Sequence, residues 1–86
     1  MEFKSSFAKD LRKVKDENLK KRVREAIELI EQAKDLQQIE NIRKLRGVDR
    51  YYRLRMGDYR IGLTSESGNV VFVRFLHRKD IYRYFP

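Results

Sequence analysis

Cysteine is absent from the 86 residues, so no disulfide and no thiolate chemistry is open to the chain, and the compartment is left undecided on that count. There is a single histidine, His77, and without cysteine beside it a structural zinc site has no ligand set. Long apolar runs are missing as well. No stretch approaches the ~20 residues that cross a bilayer. The segment MEFKSSFAKDL lacks the apolar run of a secretory signal. No repeat and no low-complexity tract interrupts the chain. These absences point to one domain spanning 1–86, in the cytoplasm, independent of membrane, metal and cofactor.

Positive charge is what the chain has in excess. Lysine and arginine number 21 against 13 acidic residues, a formal charge of +8, which favours an anionic partner such as nucleic acid, an acidic protein or an anionic membrane surface. Disorder does not follow from that charge. Hydrophobic residues make up 41% of the chain and aromatics 12%, enough for a modest core.

The first half reads as helical and the second as β. MEFKS is a short candidate strand, and Ser5 or Ser6 is placed to cap the helix after it. Phe7, Leu11 and Val14 recur at helical spacing. Asp16 or Asn18 breaks or recaps the chain. Leu19, Val23, Ala26, Ile27, Ile30 and Ala33 then form one apolar stripe on a helix of about four turns. The link around Ile39, Ile42 and Leu45 reads as a helical turn or loop laid on the core. Three strands follow: Tyr51–Met56, Tyr59–Leu63 and Val70–Leu76. Gly57-Asp58 turns the first pair and Ser67-Gly68-Asn69 the second. The third strand is almost continuously apolar and is expected to be the most deeply buried. The fold class is α+β, with a helical hairpin on one face of a small, mainly antiparallel sheet in the order β-α-α-β-β-β.

Strand alternation then sorts the side chains. Tyr52, Leu54 and Met56, with Tyr59, Ile61 and Leu63, point toward the helices. Tyr51, Arg53, Arg55 and Arg60 point the other way, with Gly62 opposite Arg53 and its backbone open to close approach. That face is expected to be bare and cationic. Arg55 lies directly opposite Arg60, a like-charge pair that destabilises a sheet. A solvated charged face is the plain alternative. Against it stand the absence of interleaved carboxylates and the choice of arginine, whose planar fork matches phosphate. The segment HRKDIYRYFP adds His77, Arg78, Tyr82, Arg83 and Tyr84. Arginines interleaved with aromatics suit single-stranded nucleic acid, with rings on bases and guanidiniums on phosphates. Arg43, Lys44 and Arg46 read as a loop charge run able to extend that track.

NIRKLRG, YYRLRMGDYRIGL and FLHRKDIYRYFP together resemble the RelE/ParE toxin superfamily, and the RelE branch more closely. The resemblance covers essentially the whole chain. It implies a toxin of a type II toxin–antitoxin system that enters the ribosomal A site and cleaves mRNA. The implied reaction is metal-independent: the adjacent 2′-OH attacks the scissile phosphate. Arg60 and Arg78 match the family's transition-state arginines. Arg53 and Arg55 stand at strand positions that are lysines in the best-known member. Tyr82 matches the tyrosine that meets the substrate base, with Tyr84 as its fallback. Arginine cannot serve as a base at positions 53 and 55. His77 is therefore the side chain with an ordinary pKa in the range of a general base. Tyr51, Arg43, Lys44, Arg46, Arg83 and Tyr84 are the expected RNA contacts. The implied partners are the ribosome, mRNA and a cognate antitoxin with an acidic toxin-binding segment.

Three other readings compete: a ParE-like inhibitor of DNA gyrase, a catalytically inactive binding module on the same fold, and an RNA-binding domain that acts without the ribosome.

Overall fold

Two short turns set the register of the sheet in a computed structural model that describes residues 1–86. Gly57 takes φ +58° as the first central residue of one hairpin, as a tight two-residue turn with glycine there requires. Ser67 and Gly68 both have positive φ and form the second. The elements in chain order are β1 (Glu2–Phe3), α1 (Ser5–Arg12), α2 (Glu17–Gln32), a 3-10 turn (Leu36–Gln38), β2 (Ile42–Lys44), β3 (Tyr51–Met56), β4 (Tyr59–Glu66), β5 (Asn69–His77) and α3 (Arg78–Tyr84). The five strands lie in the order β1-β5-β4-β3-β2, and only the β1–β5 pairing is parallel. No helix is long and apolar enough to cross a membrane.

The core forms on one side of the sheet. Val23, Ala26 and Ile30 of α2 and Phe7 of α1 meet Leu54, Met56, Ile61, Leu63, Phe72 and Phe75. Asp16 starts α2 by accepting from the Asn18 and Leu19 N–H groups, which satisfies two donors that the helix leaves open. Ser5 and Ser6 do not cap α1. The capping residue is Lys4, which offers no side-chain bond, and the Ser6 hydroxyl is used elsewhere.

That other use closes a sheet edge. β1 pairs with β5 only at Val71 and Phe72, so β5 would run on with open backbone groups. The chain just after β1 takes over. Lys4 N–H donates to the Phe72 carbonyl (2.8 Å), and Ser6 Oγ donates to the Val73 carbonyl (2.6 Å). Asp10 accepts from the Phe75 N–H (2.9 Å) and from Arg74 at Nε (2.8 Å) and Nη2 (3.1 Å). A bulge accompanies this edge: Gly62 pairs with Arg74 and Leu63 with Phe72, leaving Val73 over. The Asp10 side chain is only 5% exposed. Asp10→Ala is therefore expected to lower stability by about 1–3 kcal/mol through the donors left unpaired. Urea denaturation checks this, and a loss within a few tenths would contradict it.

Three expectations are corrected. The most deeply buried strand is β4, not the apolar third strand, because β4 lies in mid-sheet and its Ile61, Gly62 and Leu63 are all buried. The link before β3 is a 3-10 turn followed by an edge strand, so Arg43 and Lys44 belong to the sheet rather than to a loop. The arginine face is not bare. HRKDIYRYFP folds into α3, which crosses that face and buries Ile81 and Phe85. Gly62 makes the crossing possible. A Cβ there would lie 2.7 Å from the Phe85 ring, below any tolerable contact. Gly62→Val is expected to cost about 1–3 kcal/mol by overpacking, and Phe85→Ala in the same chain to recover part of it. Additive losses in the double variant would rule out this contact as the cause.

Candidate functional site

β2, β3 and β4 bring arginines into register. Arg43 pairs with Arg53, and Arg53 with Gly62; one step along, Arg55 pairs with Arg60. Beyond the end of β2, Asn41 continues the pairing. The Arg55 N–H donates to the Asn41 carbonyl, and the Asn41 side-chain Nδ2 donates back to the Arg55 carbonyl. This holds residues 40 and 41 beside Arg55. A groove of about 340 Å³ results, lined by Arg43, Arg53, Arg55 and Arg60, by Glu40 and Asn41, and by Tyr82 from α3. Four cations share it with one carboxylate.

The tyrosine is placed by the docking of α3. Ile81 and Phe85 face the sheet, so Tyr82, 71% exposed, stands at the rim. The Arg53 guanidinium carbon lies 4.4 Å from its ring centroid, a cation–π contact. Arg60 is steadied by donating from Nη1 to the carbonyls of Gly57 and Tyr59, both at 2.8 Å. Its side chain thereby swings toward the turn and away from the centre of the Arg55 pair.

The remaining expected residues fall outside this groove. Arg78 opens α3 at the turn end of the sheet, with its N–H on the Asp58 carbonyl and its Nε 4.0 Å from the Asp58 carboxylate. His77 pairs with Tyr59 across the strands and sets its ring against that tyrosine, on the helix-covered side of the sheet. Its Nδ1 accepts the Lys79 N–H as the N-cap of α3. His77 therefore does not face the arginine groove. Tyr51 supports the Phe85 ring edge-on at 5.6 Å. Tyr84 lies near Arg74, whose guanidinium carbon is 5.7 Å from its ring centroid. Lys44 and Arg46 border the neighbouring hollow, with Lys44 3.4 Å from Asp49. Arg83 is exposed on α3.

Two guanidiniums have raised pKa values, and neither lines the groove. Hydrogen bonding to Asp10 pushes Arg74 up against the opposing effect of burial. Hydrogen bonding to Glu66 does the same for Arg50 in the loop before β3. Sequence reading missed Glu40 and Asn41. Both precede a three-residue strand too short to give an alternation, so nothing in their spacing marked them.

Two helices on one side of a five-stranded, mainly antiparallel sheet form the α+β architecture of the RelE/ParE toxins. The chain belongs to that superfamily: residues 1–82 match the family of the ParE toxin of type II toxin–antitoxin systems, parDE. It is 40% identical over 85 residues to Toxin RelE3 of Methanocaldococcus jannaschii, covering 98% of this chain and 96% of that protein. Its structure matches, with a TM-score of 0.83, 38% identity and full coverage of both chains, a chain in the crystal structure of a RelB–RelE antitoxin–toxin complex from Methanococcus jannaschii.

Proposed function

We propose that this toxin is a ribosome-dependent endoribonuclease that cleaves mRNA in the A site, and that a cognate antitoxin holds it inactive. The observation that carries this reading is the groove, lined by four arginines, one glutamate and a tyrosine on which the Arg53 guanidinium rests. In the reaction the 2′-oxygen forms a bond to the scissile phosphorus and the bond to the 5′-oxygen breaks. The products are a 2′,3′-cyclic phosphate and a 5′-hydroxyl. Negative charge gathers on the non-bridging oxygens, and preorganised guanidiniums aimed there stabilise it. The 2′-OH proton needs an acceptor. Arginine cannot take it, and His77 lies on the other side of the sheet. Glu40 is the carboxylate that lines the groove, and it is assigned the role of base. Water supplies the proton to the leaving 5′-oxygen.

The antitoxin assignment draws on the likeness to a toxin chain solved with its RelB partner. An acidic antitoxin segment suits a chain of net charge +8. The ParE description of the matching family favours a second reading, inhibition of DNA gyrase. The Arg53–Tyr82 stack suits a nucleobase and favours the first.

The test is a cell-free translation reaction programmed with a defined mRNA, with cuts located by primer extension. The nuclease reading predicts cuts within codons that disappear when ribosomes are stalled before the codon. Intact mRNA and unimpaired translation would overturn it, and a supercoiling assay would then decide on gyrase.

A further inference from the structure

The arginine groove does not end at Tyr82. A second hollow of about 470 Å³ opens on the far side and shares Arg43, Arg53 and Tyr82 with the first. Its character is different. The first is lined by charge, with one apolar residue. The second has an apolar floor of Leu45, Val48 and Phe85 beneath a cationic rim of Lys44 and Arg46. The divider is flat: the Arg53 guanidinium lies over the Tyr82 ring, and that ring is largely open to solvent. A planar wall, an apolar floor and a cationic rim suit a nucleobase entering on edge with its phosphate at the rim. A bare phosphate would leave the floor unused. A lone acidic side chain would likewise leave the floor unused.

We propose that the second hollow is a base-binding subsite of single-stranded RNA, taking the nucleotide next to the one whose phosphate sits in the arginine groove. Tyr82 then stands between two successive nucleotides. The proposal rests on the reading of the groove as an RNA site and adds a second nucleotide to it. Floor and rim have separable tasks. Leu45 and Val48 hold the base, and Arg46 holds the backbone.

The test uses the full chain and an uncleavable 2′-O-methyl RNA trinucleotide, with affinity read by fluorescence anisotropy at low salt. Two changes probe the same contact: an abasic site at one terminal position of the probe, and Val48→Ser, a neutral substitution in a surface loop. Each is expected to weaken binding about five-fold or more, the range of one lost stacking platform. Combined, they are expected to weaken it no further than either alone, because both remove one contact. Arg46→Ala is expected to weaken the intact and abasic probes equally. The abasic probe needs no variant, so the result stands even if Val48→Ser folds poorly. Losses that multiply, no loss at any abasic position, or no binding of the intact probe would each overturn the proposal. Codon cutting is measured separately in the translation extract. Cutting with no coupling at Val48 overturns the subsite alone; coupling without cutting overturns the nuclease reading alone.

Discussion

Glu40→Gln is expected to slow mRNA cutting about 10²–10⁴-fold, the range lost with a general base. The glutamine keeps the size of the side chain and its ability to line the groove. It loses the negative charge and, with it, the capacity to take the 2′-OH proton. Stability should not fall, because Glu40 is exposed and forms no ion pair. Binding of an uncleavable RNA should tighten slightly, since a negative charge leaves a site built for an anion. The measurement pairs single-turnover cutting on programmed ribosomes with anisotropy on free RNA. A variant that cuts at the wild-type rate would remove Glu40 from the chemistry and send the search for a base to the ribosome itself.

Arg55→Gln is expected to have opposite effects on stability and on activity. Arg55 lies directly across from Arg60, and like charges in that position weaken a strand pair. Removing one is expected to stabilise the free protein by about 0.2–1 kcal/mol. The bonds between Arg55 and Asn41 use only the backbone of Arg55 and remain. Cutting is expected to fall about 10²–10³-fold, as when one donor to a developing oxyanion is lost. Urea melts and cutting rates on the same preparation read both signs. A variant that loses stability and activity together would make Arg55 a structural residue whose repulsion from Arg60 costs the fold nothing. Arg60 is the poorer choice for this test, because it also bonds the carbonyls of Gly57 and Tyr59.

That charge pair was legible in the sequence because strand period and turn position suffice to predict it. Gly57-Asp58 admits one tight hairpin, and from it Arg53 opposite Gly62 and Arg55 opposite Arg60 follow by counting. The stripe on α2 was legible for the same reason: Val23, Ala26 and Ile30 repeat at the helical period and are buried. The C-terminal segment was less so. Its apolar anchors, Ile81 and Phe85, are four apart, a helical interval, but two residues are a faint signal among arginines and tyrosines. Their burial depends on a glycine in a different strand. The direction of His77 was not legible either, because it depends on the strand ending at residue 77, where the ring nitrogen becomes a helix cap. Glu40 was invisible because its position comes from the pairing of Asn41 with Arg55, a contact across fourteen residues.

The two borders of the sheet are finished differently. On the β5 side, Lys4, Ser6 and Asp10 occupy the backbone groups that β1 leaves open. On the other side β2 carries no further strand. A free border of that kind is where copies of a protein zip together, and charged side chains are the usual deterrent. Here Arg43 and Lys44 put positive charge on that border, and Arg43 also lines the groove. Inactive versions made by stripping cations from β2 would therefore lose colloidal stability along with activity. Versions made at Glu40 or Arg55 leave the β2 strand itself as charged as before.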